Sequence, residues 1–258
     1  MRKRIASPDD RPSGRKGELR VVGTTVAHEV EQLLERLAQS TGRRRPRVLQ
    51  VGARVSVSDR NEQHWRTLVR KRFGPRTRFI GIDLAAGDNV DSVLDICSPP
   101  RTLMSVLGSE PFDLVICCHV LEHTRSPVRA ARNIESLLRP GGLAFVATPW
   151  SQAFHAAPDD YWRFSRRGLG LLFRRLEILS SFYSGGDVGL DVAYRVERDG
   201  HLALEAEAGA VERGLFQLVL DHEDNRSVLA RQATERLPVS RTYLPTLFVN
   251  LVGRKISK

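Results

Sequence analysis

Apolar positions along the chain follow two patterns. Spacings of three and four mark one face of a helix, and short unbroken runs mark buried strands. Val26, Val30, Leu33, Leu34 and Leu37 share a helical face that Thr24 or Thr25 can cap, and Gly42 with the run from Arg43 to Pro46 ends it. Arg47 to Val51 reads as a strand, followed after a long loop by a helix holding Trp65, Leu68, Val69 and Phe73. Phe79 to Asp83 is a second strand, Val90 to Leu94 a short third, and Thr102 to Leu107 a short helix. The run from Leu114 to Cys118, led in by Asp113, is too short for a helix and unbroken by polar residues, as in a strand buried on both faces of a parallel sheet. Ser126 and Pro127 then suit the N-cap and first position of a helix with Val128, Ala131, Ile134 and Leu138 on one face. Pro140, Gly141 and Gly142 stop that helix, and Leu143 to Ala147 forms the next strand, closed by Pro149. The strand–helix–strand unit should cross over with right-handed connectivity.

Leu176 to Tyr183 predicts another strand, after which Gly185, Gly186 and Gly189 break the pattern, and Leu247 to Val252 predicts a last one. The alternation of strands and helices predicts an α/β fold, a mostly parallel sheet with helices on both faces. Residues 1–20 are polar, basic and rich in Pro, Gly and Ser, as in a disordered tail. Residues 21–45 carry the N-terminal helix and 46–184 the core. Residues 185–242 read as an insertion, with an extra hairpin and a helix from Ser227 to Arg236, and 243–258 as the strand that completes the core sheet.

Composition narrows this picture. A chain of 258 residues with 41% hydrophobic content can bury one sizeable domain. No apolar run approaches the roughly 18 residues expected of a membrane helix, and the N-terminus lacks the apolar core of a secretory signal. The three cysteines, Cys97, Cys117 and Cys118, have no zinc-like spacing and suit buried, reduced thiols in the cytoplasm. The formal net charge of +10 raises nucleic acid as a partner. The excess is mostly arginine scattered along the chain, with no basic segment interleaved with aromatics, so an anionic small molecule or a glycan-linked acceptor is the expected partner and nucleic acid is not. Oligomeric state leaves no mark on the sequence.

The strand DLVICC followed by HVLEH, then LLRPGG and a strand ending in TP, resembles the second half of a class I S-adenosylmethionine-dependent methyltransferase of the branch acting mostly on small molecules. The resemblance implies a Rossmann-like sheet of seven strands whose last strand enters antiparallel, and S-adenosylmethionine as cofactor. It places cofactor contacts after each early strand: Gly52, Ala53 and Arg54 after the first, Asp83 and Leu84 at the second, Asp95 and Ile96 after the third, Cys118 and His119 after the fourth. Asp83 would take the ribose hydroxyls and Asp95 the adenine amine. Where the family carries a loop like G-x-G-x-G, this chain keeps only Gly52, followed by Ala53, Arg54, Val55 and Ser56. Arg54 can meet the cofactor carboxylate or point to solvent. After Pro149, HAAPDDYWRFS followed by GL resembles a substrate-side motif in one bacterial subgroup, which puts Asp160, Tyr161 and Arg163 beside the acceptor.

Methyl transfer is a displacement at carbon, so the protein must chiefly hold the nucleophile in line and, for a hydroxyl, accept its proton. His155 and His123 are the expected catalytic residues, with His155 facing the transferable methyl. His119-Val-Leu-Glu122-His123 also spells the zinc-peptidase string H-x-x-E-H, but that motif needs a helix and here it leaves a strand. Some 2′-O-methyltransferases of small RNAs and some quinone O-methyltransferases carry E-x-x-E-H here and bind a divalent metal. His119 replaces the first glutamate, which disfavours magnesium; a softer metal could accept imidazole, and the expectation is no metal. The reading is therefore a methyltransferase acting on a hydroxyl of a small or glycan-linked metabolite. The alternatives are a non-catalytic binding protein on a degenerate methyltransferase fold, or an RNA methyltransferase.

Overall fold

The computed structural model describes residues 24–42, 45–55, 65–152, 154–155, 159–187, 190–196, 202–206 and 247–256. Helix α1 (Thr24–Thr41) leads into strand β1 (Arg47–Val51), α2 (Trp65–Phe73), β2 (Arg78–Asp83), β3 (Ser92–Val93), α3 (Pro100–Leu107) and β4 (Phe112–Cys118). A single 3-10 turn, Leu121–His123, precedes α4 (Pro127–Leu137) and β5 (Leu138–Ser151). The chain continues through α5 (Arg166–Leu172), β6 (Leu176–Asp187), β7 (Leu190–Val196), β8 (Leu202–Ala206) and β9 (Leu247–Lys255).

The strands form one sheet in the order β3-β2-β1-β4-β5-β9-β6-β7-β8. Pairs from β3 through β5 are parallel, while β9 runs antiparallel to both β5 and β6. The expected seven-strand arrangement is therefore present from β3 to β6, with its final strand inserted antiparallel. Strands β7 and β8 extend the edge beyond β6 by antiparallel pairing.

Alternation along the strands divides the core between the two faces. Val48, Leu114, Ile116 and Phe145 pack with Leu33, Leu37, Trp65 and Val69 from α1 and α2. Leu49, Val51, Val115 and Val146 pack with Leu103, Leu107, Ile134 and Leu169 from α3, α4 and α5. Strand β4 is buried on both faces, as its unbroken apolar run predicts.

Several local expectations are corrected. Ser126 stands at the N-cap of α4 without a side-chain cap bond, and its carbonyl instead accepts from Arg129 and Ala130. Val128 is 45% exposed, because the buried face of α4 runs through Ala130, Ala131, Ile134 and Leu137. Leu138 is already strand, paired with Phe112, and Pro140 to Gly142 form a bulge within β5 before Leu143 pairs with Leu114. Gly141 has φ +73, and a Cβ on Gly142 would lie 3.0 Å from the Phe112 carbonyl oxygen. Asp113 closes this end of the sheet, accepting from the Arg47 amide at 2.8 Å and Arg139 Nε at 2.6 Å. Strand β3 is shorter than expected, because Asp91 turns its carboxylate onto the Gly81 amide at 2.7 Å and onto Arg66. Gly185 and Gly186 do not end β6, whose backbone continues to Asp187 paired with β7. The basic tail, the run FQLVL and the helix expected from Ser227 to Arg236 lie outside the described residues. Among the described residues, no helix is long and apolar enough to cross a membrane.

Candidate active site

The C-terminal ends of β1, β2 and β4 open into a cavity of about 440 Å³. Ligands bind at such strand ends in open α/β sheets, and the volume lies in the range of small-molecule sites, roughly 300–1,000 Å³. Gly52, Arg54, Asp83, Leu84, Asp95, Ile96 and His119 line it, together with Val51, Ala85, Leu94, Val120, His123 and Thr124.

Gly52 has φ +71, and a Cβ there would stand 2.3 Å from Val120 Cγ2. Only glycine lets the chain turn this tightly beneath the cavity floor. Next to it Ala53 is buried and donates its amide to the Ile82 carbonyl at 3.0 Å, so it fixes the loop rather than lining the space. Asp83 accepts the Arg54 amide at 3.1 Å and the Ala85 amide at 3.2 Å, one on each carboxylate oxygen. A carboxylate has about four acceptor positions, so lone pairs remain for a pair of hydroxyls. The Arg54 side chain is half exposed, with Nε 3.9 Å from Asp83 Oδ1, which turns it along the rim. Asp95 is held by the Cys97 amide at 2.7 Å, beside the buried Ile96. Leu84 is 55% exposed and supplies an apolar edge.

After β4, His119 has φ +55 and donates its amide to Ala147 in β5 at 2.9 Å. A non-glycine residue in the left-handed region is costly by about 1–3 kcal/mol and clusters at functional sites. Its ring meets the Phe248 edge at 4.6 Å and its side chain is 48% exposed. Cys118 does not line the cavity: its side chain packs in the cluster on the α1 and α2 face. Burial pushes its thiol up to about 12, and burial raises Cys117 well above the ordinary thiol value, so neither is a nucleophile.

The segment 159–162 clamps onto the turn 121–124. His123 Nδ1 meets the Asp159 carbonyl at 2.6 Å, the Tyr161 amide donates to the Glu122 carbonyl at 2.8 Å, and Trp162 Nε1 donates to the Thr124 carbonyl at 2.8 Å. This docking sets Asp160, Tyr161 and Arg163, the three residues expected on the substrate side. Asp160 is buried, paired in both its oxygens with Arg163, and accepts the His155 amide at 2.9 Å. Hydrogen bonds from the Arg163 guanidinium hold its carboxyl well below the usual range, against the effect of burial. Asp160 and Arg163 thus brace the loop from within, Arg163 also reaching the Gln152 carbonyl at 3.1 Å. Tyr161 is exposed and accepts from Arg125 Nε at 3.3 Å. His155 is not among the residues of the cavity wall. Its ring packs 5.0 Å from that of His123, which does line the cavity.

A family model described as a methyltransferase domain matches residues 23–185. The chain belongs to that family. It is a class I S-adenosylmethionine-dependent methyltransferase. Over 69 residues it is 41% identical to a ubiquinone biosynthesis O-methyltransferase of Caulobacter vibrioides, a match covering 26% of this chain and 27% of that relative. The chain thus matches about a quarter of the length of that curated relative. It is also similar to the N-methyltransferase NodS from Bradyrhizobium japonicum WM9 in complex with S-adenosyl-L-homocysteine, with TM-score 0.44, 13% identity and coverage of 89% of this chain and 87% of that one. The YcgJ protein of Bacillus subtilis gives TM-score 0.46 at 13% identity, covering 88% of this chain and 100% of that one.

The methyltransferase's cavity fits its cofactor on two counts, the glycine-only turn at Gly52 and the acceptor positions left on Asp83. Sequence reasoning named Glu122 only within the H-x-x-E-H string and gave it no role, although its side chain is completely buried between His119 and His123, and it missed Thr148, whose hydroxyl donates to Glu122 Oε2 at 3.2 Å. A glutamate three residues after one histidine and directly before another was the available signal.

Proposed function

We propose that this methyltransferase transfers a methyl group to a hydroxyl of a small or glycan-linked metabolite in the cytoplasm. The observation that carries the reading is a single cavity whose wall brings together Gly52, Asp83 and Asp95 with His119, His123 and Thr124. The partial likeness to a ubiquinone biosynthesis O-methyltransferase supports oxygen as the acceptor atom, and buried, unreactive thiols suit a reducing compartment.

Bound S-adenosylmethionine supplies an electrophilic methyl on a sulfonium, so an acceptor oxygen gains the carbon while the carbon–sulfur bond breaks. Asp83 would accept hydrogen bonds from the ribose hydroxyls, and Leu84, Asp95 and Ile96 would frame the adenine. Because the Asp159 carbonyl can only accept, His123 carries its proton on Nδ1 and presents Nε2 as a basic atom at the cavity wall. His123 therefore takes the hydroxyl proton, and His155 behind it positions the ring. The segment 159–164 shields that side from water.

Calorimetry with S-adenosylmethionine tests the reading. Binding to the wild-type chain is expected, and Asp83→Ala should weaken it by about 1.5–3 kcal/mol, the scale of hydrogen bonds to a charged group. Equal affinities in folded wild type and variant would remove Asp83 from the site, and no binding by wild type at millimolar cofactor would remove the cavity assignment.

A further inference from the structure

We propose that Glu122, His123 and His155 form a binding site for a divalent transition-metal ion of the zinc or iron(II) kind beside the cavity. One ligand atom from each of these residues lies within 4.8 Å of the others. The decisive atom is Glu122 Oε1. The Glu122 side chain is 0% exposed, its Oε2 is satisfied by Thr148, and Oε1 has no hydrogen-bond partner among the described residues. It stands 3.6 Å from His119 Nδ1 and 3.8 Å from His123 Nε2, beyond hydrogen bonding. Leaving a buried carboxylate oxygen without a partner is expensive. Ligands at about 2.0–2.1 Å around a tetrahedral ion sit about 3.3 Å apart, so a small closure of these atoms satisfies all of them with one cation.

The orientation of the imidazoles points the same way. Metal-bound histidines characteristically donate their other ring N–H to a carbonyl or carboxylate. His123 Nδ1 meets the Asp159 carbonyl at 2.6 Å, and His155 Nδ1 lies 3.3 Å from Asp160 Oδ2, an oxygen kept as an acceptor by its pairing with Arg163. Both rings therefore turn Nε2 lone pairs away from these partners. Glu122, too, is steered, by Thr148. Two imidazoles and one carboxylate suit zinc or iron(II) and disfavour magnesium, which wants oxygen ligands. Three protein ligands leave open positions, and His123 is the ligand that borders the cavity.

Occupancy of the site stands on this geometry alone, whereas its use in catalysis rests on the O-methyl transfer reading. An ion here would bind the acceptor oxygen and lower its pKa, so that the hydroxyl proton leaves to solvent and the ionised oxygen attacks the methyl. With its Nε2 on the ion, His123 no longer takes the proton itself, as it does in the metal-free protein, and both imidazoles act through the ion.

The test uses the tag-free full chain stripped with chelator. Zinc titrated by calorimetry should bind at one ion per chain, and cobalt(II) should give a visible spectrum of nitrogen and oxygen ligation without thiolate charge transfer. His155→Ala, at a half-exposed position, and the isosteric Glu122→Gln should each weaken zinc binding at least about tenfold, and Asp160→Asn, which weakens the partner of His155 Nδ1 along with the Arg163 pair, by about 10–100-fold. Millimolar magnesium should not compete. Absence of stoichiometric zinc and cobalt binding by wild type, or unchanged affinity in folded His155→Ala and Glu122→Gln, overturns the proposal. Metal-free protein should still bind S-adenosylmethionine. Failure of zinc with cofactor binding intact counts against the ion alone, while failure of cofactor binding counts against the cavity reading.

Discussion

At Gly52 two constraints coincide: a backbone conformation that only glycine adopts without strain, and contact with Val120 that leaves no room for a methyl group. The family's glycine-rich loop is reduced here to this one residue, which stands where the loop has no room for a side chain. Ala53 faces inward and hydrogen bonds to Ile82, so its side chain takes no space from the cavity, and Arg54 turns along the rim toward Asp83. Gly52→Ala should therefore cost about 1–3 kcal/mol of stability and weaken S-adenosylmethionine by about tenfold or more, since a displaced Val120 moves the cavity floor. Urea unfolding and calorimetry on the same preparation check both. A variant as stable as wild type with unchanged affinity would mean that the loop relaxes freely and the turn is not part of the site.

Helix α4 shows how an element carries an electrostatic cost on its core face. Glu135 is buried there, accepts the Arg175 amide at 2.6 Å and has its pKa raised by burial, with Arg175, Lys255 and Arg132 working against the shift. A carboxyl whose folded pKa lies above its unfolded value contributes stability that is fully present below the unfolded pKa, near 4.5, and is lost as pH rises through the folded one. Glu135→Gln keeps the acceptor oxygen and removes the titration. Its stability relative to wild type should therefore be higher at pH 7 than at pH 4, measured by denaturant midpoints at the two values. The opposite trend would show that the bond from Arg175 outweighs burial. The elements themselves were largely legible in the sequence, because the runs in β1, β2 and β4 are short, apolar and punctuated. The errors fell where tertiary pairing overrides local signals: Gly185 and Gly186 stay in β6 because β9 and β7 hydrogen bond on either side of it, and Val128 faces out because the packing of α4 turns on Ala130, Ile134 and Leu137. The site divides in the same way. Gly52, Asp83 and Asp95 follow strand ends and were readable. The burial of Glu122, and the retreat of His155 behind His123, arise from docking between segments 121–124 and 159–162, and no local pattern encodes that contact.

Over the whole molecule, the charge balance of 40 basic against 30 acidic residues suggests nucleic acid until the cations are placed. Among the described residues, many arginines are committed within the fold. Arg139 pairs with the buried Asp113, Arg163 with Asp160 and Arg66 with Asp91 beside β2, while Arg72, Arg78 and Arg254 pair with Glu35, Glu110 and Glu177. The surface pairs add little stability each, about 0–1 kcal/mol, but they neutralise the local field that a phosphate backbone would need. The cavity offers the other half of the argument: among the described residues its lining contains one arginine, Arg54, turned toward Asp83, beside His119, His123 and Thr124. An RNA-modifying site needs a basic track leading to the reacting atom. Binding of an unstructured RNA oligonucleotide should therefore be weak at 150 mM salt, with a Kd no tighter than the non-specific range of about 10⁻⁴–10⁻⁶ M, and should fall steeply with added salt. Saturating RNA should leave the affinity for S-adenosylmethionine unchanged. Nanomolar RNA binding that survives 150 mM salt would overturn the small-acceptor reading and make the arginine excess, rather than the histidines of the cavity, the place to look for the substrate.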